Sequence, residues 1–255
     1  MSDEKVSIHG IWASRWVFIL AATGSAVGLG NIWKFPYMAG TYGGGAFVLV
    51  YLCCIALIGL PVMLAETLLG RRGRQSPVNT LRSLARQSGA SERWSWAAMM
   101  GMLAALLILS FYSVVAGWAL DYIIAMARGE FTGIDGAGAG AKFDALTADP
   151  LRLTIWHTLF MLLTAFIIAK GVVAGLERGL RILMPLLFVL LVLLLGYSLT
   201  TGHFMEGVHF LFHFDLAKVP EGILAAMGHA FFTLSVGVGS IMVFGAYMPR
   251  KASLG

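Results

Sequence analysis

The chain has 255 residues, of which 58% are hydrophobic and 12% charged, where an average soluble domain carries roughly 25% charged residues. Water is a poor solvent for such a surface, so the composition points to an integral membrane protein and against a soluble domain. The net charge of +5 does not call for nucleic acid, because the basic residues cluster in short connections beside apolar runs, where a membrane surface explains them.

A bilayer core about 30 Å thick takes roughly 20 apolar residues per spanning helix. Six stretches qualify, at 16–38, 46–69, 94–127, 152–169, 180–199 and 222–247, and they predict one all-α, multi-pass domain over residues 1–255. No short apolar leader with a small-residue cleavage site precedes the first stretch, so the N-terminus is expected in the cytoplasm. The first two spans are joined by Thr41-Tyr42-Gly43-Gly44-Gly45, too short for anything but an antiparallel pair. Cys53 and Cys54 are neighbours within the second span, point about 100° apart on a helix, and are expected as small packing residues rather than a disulfide. Pro61 and Pro185 lie inside the second and fifth spans, where neighbouring helices tolerate a kink.

Arg71, Arg72, Arg74, Arg82, Arg86 and Arg93 follow the second span, opposed only by Glu92. The positive-inside rule puts that loop in the cytoplasm, with Lys170, Arg178 and Arg181 on the same side and Arg250 and Lys251 after the sixth span. The third span is too long to cross upright. Beyond it, Gly136-Ala137-Gly138-Ala139-Gly140-Ala141-Lys142 lacks the Lys-Ser/Thr ending of a nucleotide loop and is expected to be a flexible external tether. Glu66 and Asp121 are intramembrane acids, functional by default but with no partner visible in the sequence. His209 and His213, four apart with His203 nearby, have metal-chelating spacing. No carboxylate-rich helix accompanies them, so an intramembrane metalloenzyme is disfavoured and the chain is expected not to be an enzyme.

The first and sixth spans read Ala26-Val27-Gly28-Leu29-Gly30-Asn31 and Ser235-Val236-Gly237-Val238-Gly239-Ser240. Two glycines one residue apart make a mid-membrane break cheap, each costing a helix about 1 kcal/mol relative to alanine. Close helix packing through Gly24 and Gly28 is the competing explanation. Four spans separate the two occurrences, so the second runs the opposite way through the membrane, the mark of a five-helix inverted repeat. A broken helix offers amides to a carboxylate at one half and carbonyls to an ammonium group or a hard cation at the other. The side-chain oxygens of Asn31 and Thr233 lie beside the breaks and serve either a cation or helix–helix hydrogen bonds.

Arg15, the run Gly24–Tyr37, Gly43–Phe47, Tyr112 and Trp118, Lys170-Gly171, Met184–Phe188 and Phe231–Ser235 together closely resemble the neurotransmitter:sodium symporter family. The resemblance covers essentially the whole chain in family order. It implies a LeuT-type inverted-repeat bundle, here the first five-helix repeat plus the first helix of the second, in the inner (plasma) membrane of a bacterium. It further implies symport of a neutral amino acid with two sodium ions. One Na+ would use the Ala26 carbonyl, the Asn31 side chain, Thr233 and the substrate carboxylate, and the other the Gly24 and Val27 carbonyls. The amides near Leu29 and Gly30, with the Tyr112 hydroxyl, would hold the substrate carboxylate. Carbonyls of Ala26, Phe232, Thr233 and Ser235 would take its amino group, and Ile108, Tyr112, Phe232, Ser235 and Val238 would line the side-chain pocket. By pattern alone Tyr112 and Phe232 equally suit core aromatics.

Three positions depart from the family's pattern. Lys34 stands for the outer gate's arginine, losing its bidentate fork; His229 stands for a glutamine beside it; His9 replaces an arginine three residues before Trp12. The family has eleven or twelve spans, against six here. The remaining sodium ligands and the gate's acidic partner are therefore expected from a C-terminal half of the same protein, without which residues 1–255 insert but do not transport. A non-transporting half-length membrane protein and a channel-like pore stay open as alternatives.

Overall fold

The computed structural model describes residues 15–248, with the side chains of 15, 17, 18 and 172–174 outside the description. Twelve α-helices are found among the described residues, and no strand. His9, Trp12, Arg250 and Lys251 lie outside the described residues, as does the side chain of Arg15. Among the described residues, four helices are long and apolar enough to cross a membrane: Gly45–Gly73, Glu92–Ala127, Pro150–Ala169 and Gly175–Thr200. Their large side chains stand open to the surroundings, Leu57 at 76% and Leu193 at 63%, as helices solvated by lipid require.

The first and sixth apolar stretches are interrupted. The first holds α1 (Arg15–Ala26), an irregular step at Val27 and Gly28, then a π turn (Gly30–Lys34) leading into α2 (Phe35–Thr41). The second span is α3 (Gly45–Cys54), a π turn (Ile55–Gly59) and α4 (Leu60–Gly73). Both π turns immediately precede a proline. The Phe35 amide bonds the Gly30 carbonyl ahead of Pro36, and the Leu60 amide bonds the Ile55 carbonyl ahead of Pro61. The wider turn removes the collision a proline ring makes with the carbonyl four residues back, so Pro61 sits in a continuous span.

The arginine-rich connection contains α5 (Pro77–Gln87), capped by the Ser76 hydroxyl on the Asn79 amide and ending in an Arg86–Glu92 ion pair. The third span is α6 (Ser95–Ala127), about 50 Å long at 1.5 Å per residue. The Gly-Ala segment expected as a flexible tether is instead α7 (Gly136–Thr147). The Asp135 carboxylate accepts from the Gly138 amide at 2.8 Å and caps the helix, and the interleaved alanines favour it. The rest are α8 (Pro150–Ala169), α9 (Arg178–Thr200), α10 (Phe204–Phe212), α11 (Val219–Leu234) and α12 (Ser240–Ala246). The sixth stretch is thus broken between α11 and α12.

Two compact units divide the chain, Met1–Met102 with Val172–Gly255, and Leu103–Gly171. In the first, α11 packs on α2 and α3 through Met38, Ala39, Phe47, Tyr51, Ala226 and Ala230. The α2–α3 turn needs positive φ at Gly43 (100°) and Gly44 (62°). It is clasped from outside by residues 213–215: the Gly45 amide donates to the His213 carbonyl at 2.7 Å, and the Asp215 amide to the Gly43 carbonyl at 3.3 Å. In the second unit α6 meets α8 where Gly117 lets the backbones of Trp156 and His157 approach, and Arg152 grips Asp121 with two bonds of 2.8 and 2.9 Å. Cys53 and Cys54 are free thiols.

Candidate functional site

The two interruptions meet inside the first unit. The Ser25 hydroxyl donates to the Ser235 hydroxyl at 2.9 Å, and the Ser235 hydroxyl donates onward to the Ser25 carbonyl at 3.0 Å. Gly30 lies against the sixth stretch so closely that a Cβ there would stand 2.8 Å from Phe232 Cε1. Helix α11 stops because Ser235 turns left-handed (φ 53°), followed by Gly237 (φ 84°) and Gly239 (φ 85°). A β-carbon is costly in that region for serine and free for glycine.

Glu66 of α4 reaches into the second break. It is 8% exposed, and its Oε1 accepts from the Gly237 amide at 2.6 Å. An unwound amide inside a membrane needs such a partner, and a charge-assisted bond is the strong kind. Below the break α12 lies directly on α4. Gly70 faces the Met242 backbone, and a Cβ on Gly245 would come within 2.5 Å of the Thr67 carbonyl.

Oxygen acceptors lie beside both breaks. The Asn31 amide nitrogen of the side chain donates to the Ala26 carbonyl at 3.2 Å, while Asn31 Oδ1 is buried with no hydrogen-bond partner. A buried acceptor left alone costs about 1–3 kcal/mol, which a cation would offset. The Thr233 hydroxyl accepts from Tyr51 at 3.0 Å and keeps a second lone pair. The Ala26 carbonyl accepts from Asn31, and the Phe232 carbonyl from the Ser235 amide at 3.1 Å.

Gly24 is packed against α9, where a Cβ would meet Leu180 Cδ2 at 2.7 Å, so its missing side chain serves helix packing whatever its carbonyl does. The Val27 amide closes the last turn of α1 on the Thr23 carbonyl at 2.8 Å, and Leu29 carries the chain into the π turn in αR conformation. Val238 lies beside Gly101 at the start of α6. Ile108 and Tyr112 belong to the second unit, four residues apart on one half-buried face of α6. Lys34 and His229, expected at an outer gate, have different neighbours. The Lys34 ammonium sits over the Tyr37 ring at 4.7 Å, and His229 is buried among Phe35, Tyr51 and Phe232.

Sequence reasoning missed two participants and the partner of a third. Ser25 and Tyr51 are hydroxyls in apolar runs and carry no signal without their partners. Glu66 did stand out as an intramembrane acid, but a backbone amide partner leaves no pattern. The double bond between Ser25 and Ser235 is testable: in a Ser25→Ala, Ser235→Ala mutant cycle followed by unfolding in detergent, a coupling near 1 kcal/mol is expected. Strictly additive losses would mean that other contacts hold the breaks together.

The profile of the Sodium:neurotransmitter symporter family matches residues 9–132. A sodium-dependent transporter of Bacillus subtilis, YhdH, is 42% identical over 246 residues, covering 95% of this chain and 53% of that protein. A sodium-dependent transporter of Haemophilus influenzae is 33% identical over 250 residues, covering 95% and 55%. The crystal structure of MhsT in complex with L-phenylalanine superposes with a TM-score of 0.85 at 48% identity, over 94% of this chain and 54% of MhsT. The chain thus spans about half the length of the relatives it matches. With its paired broken helices in the LeuT-type arrangement, a first five-helix repeat and the opening helix of a second, the chain belongs to the sodium:neurotransmitter symporter family, a family of transporters and not of enzymes.

Proposed function

We propose that the chain forms the N-terminal half of a transporter that drives a neutral amino acid into the cell with the entry of two sodium ions. The observation that carries the reading is the buried, partnerless Asn31 Oδ1, on a side chain whose nitrogen bonds the Ala26 carbonyl; in this reading the Thr233 hydroxyl, which accepts from Tyr51, completes the set. Such an all-oxygen set suits a hard alkali cation and not a soft metal. In this reading the Gly24 and Val27 carbonyls serve the second ion. The substrate carboxylate lies by the Leu29 and Gly30 amides and the Tyr112 hydroxyl, and the ammonium group by carbonyls of Ala26, Phe232, Thr233 and Ser235. Ile108, Tyr112, Phe232, Ser235 and Val238 offer no charge to a side chain, which favours an apolar or aromatic substrate, and MhsT crystallised with phenylalanine. Lys34 and His229 act on the outer side, with the N-terminus in the cytoplasm of a bacterial inner membrane.

The test is a chimera joining residues 1–255 to the second half of YhdH, in proteoliposomes. Concentrative phenylalanine or leucine uptake is expected in a sodium gradient and none when potassium replaces sodium. Asn31→Ala should cut the uptake rate at low sodium by roughly 5- to 150-fold, about 1–3 kcal/mol of lost ligand energy. Uptake undiminished in potassium would remove the sodium assignment, and better competition by arginine or glutamate than by leucine would remove the neutral substrate.

A further inference from the structure

The second unit carries a cavity of about 510 Å3 that has no part in the proposed transport site. One wall is a single stripe, Asp121, Ile124 and Ala125 of α6 with Arg128 on the turn that closes it, at i, i+3, i+4 and i+7. Arg152 and Trp156, four apart on α8, form the other. Its charges are mostly matched. Asp121 is 5% exposed and takes both bonds from Arg152, while Glu130 accepts from the Lys142 ammonium at 2.9 Å, which holds its carboxyl below the usual range. Arg128 makes no ion pair among the described residues, although its field reaches Glu130. Arg128 is therefore the one charged group of the lining without an ion-pair partner among the described residues.

Depth argues for what binds there. Helix α8 has 20 residues, about 30 Å, only the thickness of the hydrocarbon core. Arg152 near its start, and Asp121 with it, thus lie at the hydrocarbon edge. Arg128 is seven residues further on, about 10 Å nearer water, at the level of the headgroups. Between them the wall is apolar, formed by Ile124 and Ala125, and the neighbouring Ile123 (61% exposed) and Ile155 (56%) stand open. We propose that this cavity holds the headgroup of an anionic phospholipid, its phosphate on Arg128 and its chains running down past Ile124 and Trp156. A planar guanidinium suits a phosphate, and with the other charges of the wall already paired, the unpaired Arg128 favours an anionic lipid over one that brings its own cation.

The experiment is native mass spectrometry of the full 255-residue chain released from detergent with equal phosphatidylglycerol and phosphatidylcholine. Phosphatidylglycerol should be retained at the tightest site about fivefold over phosphatidylcholine. Arg128→Gln should abolish that preference, and Arg128→Lys should keep most of it. Equal retention of the two lipids, or an Arg128→Gln chain of unchanged preference and helicity, overturns the proposal. Displacement of the bound lipid by millimolar inorganic phosphate alone also overturns it, since that result would mark a free-anion site.

Discussion

Replacing Gly70 by valine is expected to destroy the fold of the first unit. Gly70 of α4 presses on the Met242 backbone of α12, and Gly245 of α12 presses back on the Thr67 carbonyl. Two helices in such direct backbone contact depend on small residues at the crossing. A side chain in a packed core ordinarily costs about 1–3 kcal/mol when overgrown. Here the obstruction is main chain with no rotamer to yield, so α12 must leave α4, and the loss should exceed about 3 kcal/mol. Gly196→Ala on α9 is the control. A Cβ there meets nothing within 4 Å, and the change should be neutral or stabilising by up to about 1 kcal/mol. Monodisperse yield and thermal midpoint in detergent give the comparison. A Gly70→Val protein that melts with the unsubstituted chain would show that α4 and α12 are not in contact as described.

The second large effect is expected at Glu66. Removing its carboxylate in Glu66→Ala strips the Gly237 amide of its 2.6 Å partner in the middle of the second break. Hydrogen bonds to charged groups contribute about 1.5–3 kcal/mol, so hydrogen exchange of a peptide covering 235–239 should speed up roughly 10- to 150-fold. Glu66→Gln keeps an acceptor oxygen in place and should restore most of the protection. Equal exchange in all three proteins would mean that the break is held elsewhere, for instance through Ser235.

These sites show where a sequence speaks and where it is silent. Gly28 with Gly30, and Gly237 with Gly239, are legible because a glycine pair in a spanning run has few other uses, and their correspondence across four spans discloses the inverted repeat. The four uninterrupted helices follow from length and apolarity alone. Contacts are another matter. Ser25 finds Ser235 across 210 residues, and Tyr51 finds Thr233 across 182. A hydroxyl's partner is set by how helices cross, which no local pattern encodes. The Gly-Ala run of α7 misled because glycine's flexibility was weighed without its cap, Asp135. Lys34 and His229 were read by analogy alone, and the aromatic surroundings of the histidine, Phe35, Tyr51 and Phe232, come from three different helices and leave no local pattern.

The π turns ahead of Pro36 and Pro61 bear on how such chains diverge. Each i to i−5 turn accommodates one residue beyond the regular helical count, and everything after it is rotated by about 100° relative to an uninterrupted helix. A descendant that loses Pro61 no longer needs the bulge, and it regains the regular face by deleting one residue between 55 and 59. Single-residue insertions and deletions, elsewhere confined to loops, are therefore expected to accumulate inside this hydrophobic span, with gain and loss of the gap tracking gain and loss of the proline.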